Sequence, residues 1–237
     1  MAGALEDAPP GSTIEFAAGA YLLGGEALVV GTPGIRLRGH PDGTTLLGCT
    51  EDERAAMPIE DFWEMCNGFI LAGEGQHVSD LRFEGFGDAL AIRHPSAVDL
   101  PEREVPYTGG LMIEDNVFQD VTSFSIRLDA DSVVLVRRNA FRNTWHALAA
   151  GGRNVHFVDN DVSVPDPARV SNGYPGGAVG IRPDENGICE SIVLEGNRIE
   201  GHTEGVMIAL FPQDRAGSSC SDIVVRDNEI VMRPVYF

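Results

Sequence analysis

The chain has 237 residues, 43% of them hydrophobic, which is enough for a substantial core, and no apolar run approaches the ~18 residues of a membrane-spanning helix. Its 36 acidic residues stand against 17 basic ones, all of them Arg, for a formal charge of −19. A field of that sign argues against nucleic acid and anionic membrane surfaces as partners, and the absence of Lys removes a Lys base or Schiff-base nucleophile.

In chain order, residues 1–48 offer a short helix-compatible piece, a Pro-Pro-Gly turn and short β-type runs separated by Gly. They read as an N-terminal cap and first rung, covering the open end of a stack of strands that would otherwise invite another chain. Residues 50–68, TEDERAAMPIEDFWEMCNG, break the strand rhythm and read as an insertion forming a lid or flank. Residues 69–237 carry the remaining rungs of what is expected to be one domain. The repeat resumes with FILAGEGQHVSDLRFEGFG, where Leu81 and Phe83 occupy two repeat positions.

That repeat is plainest between Val133 and Val162. Val133, Leu135, Asn139 and Phe141 are answered by Val155, Phe157, Asn160 and Val162: a short apolar strand, Asn, any residue, a large apolar residue. The same template ends at Phe118, Ile199 and Ile230, so Asn116, Asn139, Asn160, Asn197 and Asn228 share one register, with separations of 23, 21, 37 and 31 residues. A unit of this size cannot bury an apolar face alone and must stack on its neighbours, which predicts an all-β solenoid.

The order PPGSTIEFAAGAY, PGIRLRG, GTTLLG, taken with the Asn rungs, resembles the start of single-stranded right-handed parallel β-helix proteins of the pectate-lyase-like superfamily. The resemblance covers nearly the whole chain. It implies three parallel sheets, PB1, PB2 and PB3, with PB2 at Leu111–Glu114, Val133–Val136, Val155–Val158, Ile192–Glu195 and Ile223–Arg226. The Asn side chains would form a ladder at the PB2–PB3 turn, where Asn tolerates the left-handed conformation. Phe83, Phe118, Phe141, Val162, Ile199 and Ile230 would stack inside.

The PB1 strands would be residues 88–93, 122–127, 146–151, 177–182 and 204–209. Strict alternation places Leu90, Ile92, Phe124, Ile126, Leu148 or its neighbour, Val179, Ile181, Val206 and Ile208 inside. Outside lie Ala89, Ala91, Arg93; Ser123, Ser125, Arg127; Ala147, Ala149, Gly151; Ala178, Gly180, Arg182; Gly205, Met207 and Ala209. Small residues then make a shallow floor with Arg93, Arg127 and Arg182 along one edge, and the longer insertions fall beside it as the walls of a groove.

Planar guanidiniums suit carboxylate, sulfate or phosphate groups, so Arg93, Arg127 and Arg182 predict an acidic sugar or an acidic small molecule as ligand; surface ion pairing is the alternative. His146, Arg127, Arg182, Asp129 and Glu204 are the candidate catalytic residues, with His146 and Glu204 at equivalent positions two units apart. Arg93, Trp145, Arg153, Tyr174 and Asp184 are candidates for substrate binding. The resemblance implies carbohydrate chemistry, either a Ca²⁺-assisted elimination with Asp129 and Asp131 as metal ligands, or a hydrolysis. The Asn-Thr-Asp, Asp-Asp, Gly-His-Gly and Arg-Ile-Lys motifs of polygalacturonases and the Asp-Pro-His-Glu motif of alginate epimerases are missing, so a noncatalytic carbohydrate-binding or structural β-helix and a small-molecule isomerase or cyclase stay open.

Two further expectations concern Cys and the chain ends. Cys189 and Cys220 each precede their Asn by eight residues, which makes them stacked neighbours able to pair, although a free cysteine ladder is expected in a cytosolic protein. The location expected is cytoplasmic if the chain is complete and secreted if a leader has been removed. The last rung, IVVRDNEIVMRPVYF, has no amphipathic cover, so a continuing chain or burial of that end in a homo-oligomer is expected.

Overall fold

The computed structural model describes residues 5, 7–24, 27–50, 52–53, 66–92, 109–166, 177–184, 187–208 and 217–233, with Asp129 and Ala130 as backbone only. Short strands follow one another in triplets. The first three coils are β1 (Thr13–Glu15), β2 (Gly19–Leu22), β3 (Leu28–Val30); β4 (Arg36–Arg38), β5 (Thr44–Leu47), β6 (Phe69–Leu71); and β7 (Gln76–Ser79), β8 (Arg82–Glu84), β9 (Leu90–Ile92). Next come β10 (Leu111–Glu114), β11 (Val117–Gln119), β12 (Phe124–Ala130), then β13 (Val134–Arg137), β14 (Ala140–Arg142), β15 (His146–Arg153). The series ends with β16 (Val155–Val158), β17 (Asp161–Ser163), β18 (Gly177–Ile181), β19 (Ile188–Glu195), β20 (Arg198–Glu200), β21 (Glu204–Ile208), β22 (Ser219–Arg226) and β23 (Glu229–Val231).

Each strand pairs in parallel with the strand three places on. PB1 is therefore β3, β6, β9, β12, β15, β18 and β21; PB2 begins at β1 and PB3 at β2. β19 is long enough to pair with both β15 and β16, which joins PB1 to PB2. The architecture is a parallel β-helix with one continuous apolar interior, on which Leu5 packs at the N-terminal side.

The Asn register sets the PB2–PB3 turn. The Leu81 backbone N–H donates to Asn116 Oδ1 at 3.1 Å, and those of Asn116, Asn139, Asn160 and Asn197 donate to the Oδ1 of the next Asn at 2.9–3.0 Å. The left-handed residue is not the Asn but the one before it: Asp80, Asp115, Arg138, Asp159, Gly196 and Asp227 all have φ between 53° and 66°. The ladder itself holds the Asn backbone, so the conformational cost falls on a neighbour with an exposed or half-exposed side chain. Inside, Phe83, Phe118 and Phe141 stack with ring centroids 4.9 Å apart and planes 7° apart.

Two phase assignments differ from the sequence expectation. In β13 the inward residues are Val134 and Val136, opposite Val155 and Phe157, whereas Val133 is 58% exposed and Leu135 faces out. Because the side-chain period is two, that single-residue shift exchanges the faces. In PB1, alternation slips where each strand leaves the PB3–PB1 turn. Leu90, Ile126, Leu148, Val179 and Val206 form the inward column as expected, but the residue before each, Ala89, Ser125, Ala147, Ala178 or Gly205, also faces the core. A β-carbon on Gly205 would lie 2.7 Å from the inward side chain of Ile230. Those positions hold small residues because PB3 crowds them, and the slip turns Phe124 and His146 outward.

Cys189 and Cys220 are partners in register, Cα–Cα 4.5 Å, and are disulfide-bonded, in place of the free ladder expected. Cys49 and Cys66 form a second disulfide, Cα–Cα 5.4 Å, that closes the base of the 50–68 insertion. Most of that insertion, and with it the lid reading, lies outside the described residues.

Candidate functional site

The slip in PB1 leaves two outward columns. Ala91, Arg127, Ala149, Gly180 and Met207 form one, and Phe124, His146, Gly177 and Glu204 the other. Between them is a concavity of about 250 Å³ lined by Phe124, Arg127, His146, Ala149, Gly180, Ile181, Arg182 and Met207. Its floor is backbone and methyl groups, since Ala149 and Gly180 offer nothing larger.

One wall is aromatic. The rings of Phe124 and His146 stack at 5.1 Å and 15°, Trp145 lies against both at 6.0 and 4.6 Å, and the Arg127 guanidinium sits 5.7 Å from the Phe124 ring centre. Flat rings beside a guanidinium suit a pyranose that carries an acidic group. Phe124, expected in the core, is thus a large residue that sequence reasoning placed on the wrong side.

His146 and Glu204 fall in one column two coils apart, with Gly177 between them. Glu204 Oε2 and His146 Cε1 lie 3.5 and 3.7 Å from the point a β-carbon on Gly177 would occupy. Glu204 is exposed; His146 is only 8% exposed. Burial keeps the His146 imidazole below its ordinary protonation range, opposed by a hydrogen bond to the Gly177 backbone. Its Nδ1 is buried without a hydrogen-bond partner, so this ring is a neutral wall of the site with one nitrogen turned inward.

Arg127 and Arg182 do not share the edge expected for them. Arg127 is opposite Ala91 and Ala149, in line with Gly180, so Arg182 stands two residues further along the strand and two coils away. The pair spans the concavity diagonally. Trp145 borders it. Arg153, expected in the groove, is held at the PB1–PB2 corner by Asp131 at 3.5 Å and Glu190 at 3.2 Å. Asp184 closes a turn, its carboxylate accepting from the Ile188 backbone N–H at 2.9 Å. Arg93, Tyr174, the Asp129 side chain and most of the insertions at 94–110 and 165–177 lie outside the described residues, whereas the 183–191 segment expected as an insertion leads through the Asp184 turn into β19.

The calcium ligands expected from the resemblance find no support in the donors that are described. Asp131 is ion-paired with Arg153, and the described residues hold no cluster of three His, Cys, Asp or Glu. A second concavity on PB3, about 490 Å³, is lined by Arg142, Asp161, Arg198, Glu200 and Arg233. Two of its three guanidiniums are already matched by carboxylates: Arg142 with Asp161 at 2.6 Å and Arg198 with Glu200 at 2.5 Å.

The fold and the PB1 concavity define a parallel β-helix with an aromatic, Arg-bordered surface site. No protein-family model and no curated protein matches the sequence. Among solved structures, a point mutant of AlyGC, a PL6 family alginate lyase, is similar over 95% of this chain and 36% of the lyase chain, with 16% identity and a TM-score of 0.40. This chain therefore spans little more than a third of that protein's length.

Proposed function

We propose that the PB1 concavity binds an acidic saccharide and that Glu204 transfers a proton on it, making the protein a carbohydrate-active enzyme for uronic-acid polymers or oligomers. The observation that carries this reading is the convergence of Glu204 and the His146 ring on the space above Gly177, beside the hollow that His146 lines together with Arg127 and Arg182. Phe124 and Trp145 would stack on the sugar face, while Arg127 or Arg182 takes the carboxylate. A guanidinium at that carboxylate makes the adjacent C–H more acidic by stabilising the charge that develops when the proton leaves.

In an elimination, Glu204 takes the proton from the carbon bearing the carboxylate. The electron pair of that C–H bond becomes the new C=C bond as the glycosidic C–O bond on the next carbon breaks. The departing oxygen then takes a proton from water or from the protonated Glu204. The neutral His146 ring supplies a dry edge beside this carboxylate.

The test is incubation with a panel of polyuronides, with and without Ca²⁺, read by ultraviolet absorbance of the unsaturated product and by reducing ends. Turnover that disappears in Glu204→Gln is the expected result. Saccharide binding without any product would favour the noncatalytic binding protein; neither binding nor turnover would sink the reading.

A further inference from the structure

At the PB3–PB1 turn one inward position repeats from coil to coil: Phe86, Val121 and Thr144 in succession, then His202 two coils after Thr144, as the backbone pairing around Asn143, Val164 and Gly201 sets it. The first three are fully buried, and His202 is 1% exposed. In the coil between Thr144 and His202 the corresponding residue, Pro165, is exposed and puts no polar group into the corner. Both ring nitrogens of His202, Nδ1 of His146 and Oγ1 of Thr144 are buried without a hydrogen-bond partner. A buried polar atom left unpaired is destabilising, so each of these calls for a partner.

Three side chains at one corner supply these atoms, and a buried water typically makes ~3 hydrogen bonds. Hydroxyl and imidazole can each donate or accept, so one water can bond once to each of the three side chains, which leaves the second His202 nitrogen to a further partner. His202 and His146 are also close enough for one to repel the charged form of the other.

We infer that His202 is a positioning residue for His146: it and Thr144 hold a buried water against His146 Nδ1, fixing which nitrogen of that ring carries the proton. With Nδ1 accepting from the water, the proton sits on Nε2 and is donated to the Gly177 backbone. The ring is thereby locked in the orientation that presents Cε1 to the space shared with Glu204. Among the described residues, the charged and titratable groups around His146 are Glu204 on β21, Arg127 on β12, Arg182 after β18, and His202 behind it. The link rests on the reading of PB1 as the site only for its use in turnover; the proton position of His146 is a property of the protein alone.

The experiment is ¹⁵N NMR of the histidine rings in the full chain across pH, with thermal melting as the fold control. In the native protein His146 should show one neutral tautomer, protonated at Nε2. His202→Phe, which reproduces the Phe86 filling of the same corner, and Thr144→Val should each give averaged ring shifts at His146, and His202→Gln should restore the single tautomer. If His202→Phe does not fold, Thr144→Val carries the test. Unchanged His146 signals in a folded His202→Phe or Thr144→Val protein would overturn the inference. Should a substrate be found, these variants should lower kcat with little change in KM. Absence of turnover in every variant, with the tautomer shift present, would count against the proposed function and leave the link standing.

Discussion

Glu204 and His146 meet over a glycine: the carboxylate oxygen and the imidazole Cε1 are both within 4 Å of the β-carbon that Gly177 lacks. The two side chains lie on strands two coils apart, and only the bare backbone of the coil between them leaves room for a third group.

Gly177→Ala should therefore separate folding from function. Its methyl would make ordinary van der Waals contacts, so melting should change by no more than ~0.5 kcal/mol. The same methyl fills the space proposed for the reacting carbon, and binding or turnover of an acidic saccharide should fall at least about tenfold, or ~1.4 kcal/mol. Titration calorimetry with oligouronides checks it; unaltered affinity and rate would move the site elsewhere.

Within the Asn ladder, removal of a middle member should cost more than removal of a late one. Asn139→Ala deprives the Asn116 N–H of its acceptor and the Ile113 carbonyl of its donor, both in buried surroundings, for about 2–4 kcal/mol. Asn228→Ala acts on half-buried partners and should cost about 1 kcal/mol. Urea denaturation of the two variants gives the comparison. Equal losses would mean that the ladder contributes no more inside the stack than near its edge.

A buried His and a half-buried Glu make stability depend on pH in an upper and a lower window. Burial, and then the nearby His146, push His202 from 6.5 down to about 4 in the folded state. The unfolded chain binds this proton first. The stability from keeping the ring neutral is thus complete above about pH 6.5 and declines by up to ~3 kcal/mol as pH falls to about 4. Burial raises the Glu114 carboxyl, but hydrogen bonds and charge from Arg137 and Arg138 outweigh it, and the net direction is down from 4.5. Its contribution is complete above 4.5 and lost as pH falls through the lowered value. In melts from pH 8 to 3, His202→Phe should flatten the upper window and Glu114→Gln the lower one; a variant that flattens neither would contradict its assignment.

The Cys189–Cys220 bond ties β19 to β22 across 31 residues of chain. Since stability in stacked repeats is a sum of nearest-neighbour terms, its loss should act locally. Cys189→Ala with Cys220→Ala should cost about 2–4 kcal/mol. Hydrogen exchange should quicken in β22 and β23 and stay unchanged in β10 to β14. Uniform acceleration would instead show that the coils unfold as one unit.

The Asn register was legible in the sequence because a buried amide that must meet an identical amide in the next coil leaves the same residue at the same place each time. The phase of the strands between was harder to read. Val133, Val134, Leu135 and Val136 are all apolar, so hydrophobicity could not say which two face inward; only counting back from Asn139 does. At PB1, Ala and Ser in crowded inward positions look like an exposed floor, and Phe124 looks like core. The similar triplets Ser125-Ile126-Arg127 and Gly180-Ile181-Arg182 suggested one register, whereas pairing aligns Arg127 with Gly180. His202 carries one signal that could have been found: His202-Thr203-Glu204 occupies the same turn as Thr144-Trp145-His146.

The Asn ladder runs in one sense. In every step the backbone N–H of the earlier coil donates to the side chain of the later one, 21 to 37 residues downstream. A coil emerging from the ribosome therefore holds an unanswered amide until its successor is made. Growth of the stack is directional: each new turn of chain completes the previous one, and a nascent protein halted part-way would leave this amide unanswered along with the unpaired strand edges of its newest coil.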